Sequence, residues 1–278
     1  MIVANSQKDK IGYGNYLRII SILPNLKFKN FFWISDNKPI ELIKNSKIIT
    51  KAYNLKSLNA KKLLKKRVSI LNLFEKKKNL IYKKYLQNFL NKNQNIKESG
   101  MDLCNILLRI YKIRKYKLYH EESNENLTTD IFINYIVPKK WKIKEYPLTK
   151  FKLLIKKLKQ KNKDIKISWQ KKNDRISDYV NKIKNTRILL TIIGLGTHIG
   201  MMYKKRMVVL AGPTFFKDLN IYKNKIVFLP KKKCDCQTIY LNKGIYCKTH
   251  FKKKKSCMED IDEKKLLKIL LLELKKKN

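Results

Sequence analysis

Acidic side chains are scarce: 21 Asp and Glu stand against 66 Lys and Arg in 278 residues, for a formal net charge of +45 and a sequence pI near 10.1. Taken alone, that balance points to nucleic acid or an anionic membrane surface as partner. The lysines, however, are spread through every segment among Asn, Ile and Leu, as a base-composition bias toward AT would also produce, so the charge bears on association and not on fold or chemistry. No helix-turn-helix, zinc finger of known spacing or aromatic RNA-binding motif accompanies it, which leaves no specific nucleic-acid partner. Cysteine is sparse, five in all, and four of them fall late, at Cys234, Cys236, Cys247 and Cys257. That distribution fits a reducing compartment better than a disulfide framework. No apolar run reaches the roughly 20 residues of a membrane-spanning helix. The amino-terminal MIVANSQKDKIGYGNYLR has no basic segment followed by an apolar core, as a secretory leader would. The expectation is therefore a cytoplasmic location, with membrane contact peripheral at most. No internal repeat is visible.

What is present is a globular composition, 44% hydrophobic, in a length that suits one large or two modest domains. With eight glycines in the whole chain, the cluster at Gly194, Gly196, Gly200 and Gly212 stands out. Residues 188–193 are apolar, β-branched and too few for a helix, and so predict a buried strand. The Gly194-Leu195-Gly196-Thr197-His198 stretch reads as a loop whose glycines let the backbone turn sharply and approach a ligand. A short helix over 199–203 and a second buried strand over 207–211, ending at Gly212-Pro213-Thr214, complete a strand, loop, helix, strand unit of a parallel α/β sheet. Both loops then lie at carboxyl ends of strands, where such sheets bind ligands. A helix N-terminus there suits a phosphate. A bare G-x-G-x-H is equally compatible with a tight turn holding a structural histidine.

In chain order, residues 1–4 predict a strand, Gly12-Tyr13-Gly14-Asn15 a loop, and 16–23 a helix stopped by Pro24. Strands follow at 31–35, 48–55 and 68–74, with a helix over 38–44. Apolar residues recur at helical spacing between 80 and 117, predicting two helices. The acidic stretch Glu121-Glu122-Ser123-Asn124-Glu125-Asn126 reads as a linker, giving domains of residues 1–124 and 125–278. A strand at 131–137, a basic loop, a helix over 149–159, a strand at 165–168 and a helix ending near 183 precede the glycine cluster. A strand at 226–229 and a terminal helix over 264–276 follow it. Asp174 is either a carboxylate placed for sugar hydroxyls or the N-cap of the helix after it. Four late cysteines have the number, though not the usual spacing, of a tetrahedral zinc site.

The pattern Thr191-x-x-Gly194-Leu195-Gly196-x-His198-Ile199-Gly200, followed by Lys204-Lys205-Arg206-Met207-Val208-Val209-Leu210-x-Gly212-Pro213-Thr214, resembles the donor-site signature of glycosyltransferase family 9, which contains the ADP-heptose:lipopolysaccharide heptosyltransferases. Lys144-Glu145-Tyr146-Pro147 resembles that family's Lys-x-Trp-Pro, whose lysine contacts the donor's phosphates. The cysteine series resembles one often found in family members. Two positions depart from the pattern: Ile193 stands where the family has aspartate, and Asn15 stands where it has the proposed general base.

The resemblance implies an α/β fold of GT-B type, two Rossmann-like domains facing across a cleft. It implies an inverting glycosyltransferase with a nucleotide-sugar such as ADP-heptose as substrate and no separate cofactor. Donor contacts fall to Lys144, Asp174, Thr191, Gly194, Gly196, Thr197, His198, Gly212, Pro213 and Thr214. A saccharide or lipid-linked saccharide acceptor, as in lipopolysaccharide assembly at the inner membrane, would lie near Gly12, Gly14 and Asn15. Because an amide cannot take a proton as a carboxylate does, the Asn15 substitution leaves open a degenerate enzyme. The alternative is a non-catalytic basic protein on nucleic acid or an anionic membrane. The terminal helix is expected to pack on the body instead of lying on a bilayer.

Overall fold

The computed structural model of the chain describes residues 2–4, 13–26, 28–35, 37–43, 46–65, 70–72, 118–122, 126–213, 224–231 and 257–276. Contacts divide the chain into two compact units, Met1–Glu121 and Glu122–Asn278. The helices expected between 80 and 117 lie outside the described residues.

In the first unit the elements run β1 (Ile2–Ala4), α1 (Tyr13–Ile22), β2 (Phe32–Ser35), α2 (Asn37–Ile43), β3 (Lys51–Asn54), α3 (Leu58–Lys65) and β4 (Ile70–Asn72). All strand pairs are parallel and the sheet order is β3-β2-β1-β4, so the order reverses between β1 and β4. Helix α1 starts three residues earlier than expected, which puts Gly14 and Asn15 in its first turn. The apolar face explains the shift: Tyr16, Leu17, Ile19 and Ile20 are buried, and Tyr13 stacks on Tyr16 at 6.3 Å, carrying that face back one turn. Pro24, in a 3-10 turn at Leu23–Asn25, ends it, because proline has no N–H for the next helical bond. Tyr16 meets Trp33 of β2 edge to face at 5.6 Å, and the buried indole donates to Ser35 Oγ at 2.9 Å, satisfying its one donor. Helix α3 was not expected; Ser57 Oγ accepts from the Ala60 N–H at 3.2 Å and caps its start.

The second unit holds β5 (Thr129–Asn134), a 3-10 turn at Lys139–Lys144, α4 (Leu148–Lys161), β6 (Ile167–Trp169), α5 (Ile176–Lys184), β7 (Thr186–Ile192), α6 (Leu195–Met202), β8 (Arg206–Leu210), β9 (Lys225–Phe228), a 3-10 turn at Cys257–Asp260, and α7 (Glu263–Lys275). Its sheet is also parallel throughout, in the order β6-β5-β7-β8-β9. The two parallel sheets with their helices are the α/β fold the sequence predicts.

Period-two alternation sorts the strand residues onto two faces. Ile131, Ile133, Ile188, Leu190, Val208 and Leu210 form one core with Phe151, Leu154 and Leu158 of α4 and Leu266 and Leu270 of α7. On the other face, Phe132 packs on Tyr179 of α5 at 6.1 Å, and Leu189 and Met207 reach α6 at Gly200. Both faces of β5, β7 and β8 are covered, which is why these strands are apolar without a polar alternate. Fully burying one such side chain stabilises by about 1.5–3 kcal/mol.

Helix α7 packs on the body, as expected. Asp262 caps its start by accepting from the Lys265 N–H at 3.0 Å, and Lys150 of α4 lies 2.8 Å from Glu263. At its other end Arg206 donates to the Lys276 carbonyl at 3.0 Å, and Arg187 donates to the same oxygen.

Candidate functional site

In the strand order of the second unit the chain goes from β5 outward to β6 and then returns past β5 to β7. The reversal falls between β5 and β7, and the carboxyl ends of strands at such a point are where open α/β sheets bind ligands. Asn134 ends β5, and Thr191 and Ile192 end β7.

The connection out of β7 is tighter than the sequence suggested. Only Ile193 and Gly194 separate the strand from α6, so Gly196, Thr197 and His198 belong to the helix's first turn and not to a loop. Thr197 explains the early start. Its hydroxyl donates to the Ile192 carbonyl at 3.2 Å and accepts from the Gly194 N–H at 3.2 Å, closing the turn from within. The other end of α6 closes through Lys205 N–H to the Gly200 carbonyl at 2.8 Å and Lys204 N–H to the Met201 carbonyl at 3.1 Å, with Lys204 at φ 50, a Schellman motif.

None of the described glycines has positive φ, so Gly196, Gly200 and Gly212 are needed for space and not for a turn. Gly194 is extended, with φ −179, and a Cβ there would sit 3.9 Å from the Ile192 carbonyl, an ordinary contact. At Gly196 a Cβ would lie 2.4 Å from the Tyr179 hydroxyl and 2.5 Å from Asn134 Nδ2. Glycine lets the first turn of α6 rest directly on that polar pair.

That pair is part of a buried network. Asn134 Nδ2 donates to Thr191 Oγ1 at 2.6 Å, and the Tyr179 hydroxyl donates to Asn134 Oδ1 at 2.6 Å. Thr191 Oγ1 donates on to the Ile192 carbonyl at 2.8 Å. Every member is neutral, so the N-terminal turn of α6, with its free N–H groups and positive dipole end, rests on a base that carries no countercharge. Burial first, and then the nearby charge of Asp174, raise the Tyr179 phenol above its ordinary range, so it stays a donor.

Asp174 is not the N-cap of α5; Arg175 holds that position, without a side-chain bond. The carboxylate closes the turn before it, accepting from the Lys171 N–H at 2.8 Å and pairing with Lys182 at 2.5 Å. Burial opposes its charge, but these two donors prevail and hold its carboxyl below the usual range.

Lys144 ends the 3-10 turn that follows β5. It is buried to 8% exposure, with its ammonium 4.8 Å from the Trp141 ring centroid, a cation held on an aromatic face. Tyr146 beside it is core, 4.8 Å from Phe151. Gly212 and Pro213 follow β8 and are buried. A Cβ on Gly212 would meet Met258 Sδ at 2.3 Å and Cys257 Sγ at 3.3 Å. Thus Cys257 is placed against a backbone turn, while Cys234, Cys236 and Cys247 lie outside the described residues. Among the described residues no group of three His, Cys, Asp or Glu converges as a metal site would require. Gly12 and Thr214 also lie outside the described residues, as does the Asn15 side chain.

By sequence, no family model and no curated protein matches the chain. By structure, it is similar to the glycosyl transferase family 9 protein of Veillonella parvula, with TM-score 0.62 at 14% identity over 98% of this chain and 96% of that one. The chain has the family 9 glycosyltransferase fold. The E. coli heptosyltransferase WaaC with ADP shares that fold at TM-score 0.55 and 9% identity, over 83% of this chain and 93% of that one. WaaC with ADP-2-deoxy-2-fluoro heptose gives 0.54 and 9%, over 82% and 92%.

Of the residues the sequence singles out, Thr191, Gly196 and Thr197 meet around Asn134 and Tyr179, His198 follows in the first turn of α6, Gly212 follows β8, and Asp174 and Lys144 lie in the turns before α5 and after β5. Asn134 and Tyr179 were missed by the sequence reading, as was Gln170, whose side-chain carbonyl accepts from the Ile136 N–H at 3.0 Å and ties down the loop after β5. The signal for Asn134 was available: it is the one amide within the apolar run at 131–137.

Proposed function

We propose that the protein is a divergent member of glycosyltransferase family 9 that binds a nucleotide-sugar on its second unit. The observation that carries the reading is the N-terminal turn of α6, seated on a neutral network at the sheet's reversal point in a chain with the family 9 fold. Free N–H groups and a positive dipole end offer a diphosphate what it needs. Lys144, in the turn that follows the neighbouring strand, adds a point charge.

In the proposed reaction an acceptor hydroxyl attacks the anomeric carbon as the bond to the diphosphate breaks, which inverts that carbon. The leaving diphosphate carries off the bonding electron pair, and the α6 N-terminus and Lys144 stabilise its growing charge. The hydroxyl proton must go to a base, and Asn15 is not one. The acceptor is a saccharide or lipid-linked saccharide, of the kind used in lipopolysaccharide assembly. WaaC, an E. coli heptosyltransferase solved with ADP, supports ADP-heptose as the first donor to try.

Calorimetric titration with ADP, and ADP release from ADP-heptose, test the reading in the wild type, Lys144→Met and Asn15→Asp. ADP binding that weakens at least about tenfold in Lys144→Met is expected from loss of one buried charge contact. Turnover appearing only in Asn15→Asp marks the natural protein as a binding relative of the enzymes. If neither the wild type nor Asn15→Asp binds or consumes any nucleotide-sugar, the transferase reading fails.

A further inference from the structure

Helices α4 and α7 pack side by side on one face of the second sheet, joined by the Lys150 to Glu263 ion pair. Their buried sides face the sheet, so their outer sides share one direction. The two acids at the start of α7 are held by lysines, Glu263 by Lys150 and Asp262 by Lys231, and Glu273 is buried on the inner side of α7 and paired with Lys276. Lys152, Lys156 and Lys159 of α4, and Lys264 and Lys268 of α7, are exposed with no carboxylate partner among the described residues. Set among them are Leu148 at 41% exposure, Leu153 at 43% and Leu272 at 45%, three of the five exposed large apolar side chains among the described residues. No aromatic ring is exposed on either helix.

We propose that this outer face of α4 and α7 docks the second unit on an anionic phospholipid bilayer. Each lysine near such a surface is attracted through the negative potential of the lipid headgroups, and leucines projecting between the lysines enter the boundary of headgroups and acyl chains. Nucleic acid fits the face less well, since sequence-tolerant binding to single strands uses exposed aromatic rings for stacking. The wide spread of lysine over the chain does not by itself select a face; the absence of any acid from the exposed side of α4, the pairing of Glu263 and Asp262 at the start of α7, and the clustering of exposed leucines do. The α7 helix stays packed on its body while it does so, so the surface is one side of a folded unit and not a detached amphipathic segment.

Co-sedimentation tests this with vesicles of phosphatidylcholine alone and with about a third phosphatidylglycerol. The wild type is expected to bind the anionic vesicles at least about tenfold better than the neutral ones, and to lose most of that binding as salt shortens the screening length. The variant Lys152→Glu/Lys156→Glu/Lys264→Glu/Lys268→Glu is expected to lose at least about tenfold in binding. A charge-matched control, Lys29→Glu/Lys56→Glu/Lys61→Glu/Lys62→Glu, should lose less than about threefold. Leu153→Ser/Leu272→Ser, which leaves the charge intact, should lower the binding that survives high salt and serves if the first variant is poorly folded. Equal loss in the two quadruple variants, or no preference for anionic vesicles, overturns the proposal. So does equal retention of single-stranded RNA and vesicles by this face. ADP titration of the same variants reports separately on the nucleotide site, which should be unchanged.

Discussion

The two ends of the second sheet hold helix termini of opposite sign by opposite means. At the carboxyl end, the N-terminus of α6 rests on Asn134, Thr191 and Tyr179, all neutral. At the amino end, the C-terminus of α7 is met by the guanidinium groups of Arg187 and Arg206, which bond its last carbonyl oxygen. The second arrangement cancels the helix dipole within the fold, so nothing is left for a ligand. The first supports the helix without cancelling its dipole, and the positive end remains available to an anion. In a chain with this many lysines, the informative place is a helix end whose supporting hydrogen bonds come from neutral groups.

Four substitutions would break or sharpen that contrast. The largest effect is expected from Asn134→Ala, which leaves the buried Tyr179 hydroxyl and Thr191 without their shared partner. Urea unfolding should show a loss of about 2–4 kcal/mol for one stranded hydroxyl and one further lost hydrogen bond, and ADP titration a parallel loss of affinity. Next comes Gly196→Ala, whose methyl group has no room against Tyr179 and Asn134. A cost of about 1–3 kcal/mol is expected from overpacking, again with weaker ADP binding because the first turn of α6 must lift.

At the opposite end, Arg206→Met should cost about 1 kcal/mol through the lost contact with the C-terminus of α7 while leaving ADP affinity unchanged. A fall in affinity as large as that of Gly196→Ala would erase the distinction between the two ends. The smallest effect near neutrality is that of Lys205, buried at the amino end. Burial first, and then the charge of Lys184, push its ammonium down to about 8. Between that value and the ordinary lysine range the unfolded chain binds more protons than the folded one, so this group makes stability rise with pH across that window. Urea midpoints measured from pH 7 upward should rise less in Lys205→Met than in the wild type.

How far the sequence could be read depended on the kind of interaction. The strands at β5, β7 and β8 were legible because burial on both faces leaves an apolar run, and helix α4 because its apolar residues recur at helical spacing. Helix α3 went unread although Ser57 marks its start. The first turn of α6 was read as loop because Gly-Leu-Gly has low helix propensity; Thr197 closing back on Gly194 and Ile192 overrides that preference. Asp174 was legible as a polar site but not as the partner of Lys182, eight residues on, because that pair meets only after α5 has formed.

From the amino-acid order alone came the alternation of strand and helix, the glycine cluster, and the two carboxylates missing from the family pattern at Asn15 and Ile193. These depend on neighbours in sequence, through backbone propensity, apolar period and residue type. Only the tertiary structure revealed why Gly196 must lack a Cβ, which groups sit beneath α6, and that Arg187 and Arg206 are committed to α7. Each of these depends on atoms brought together from strands and helices far apart in the chain, and a contact of that kind leaves no local mark in the residues that make it.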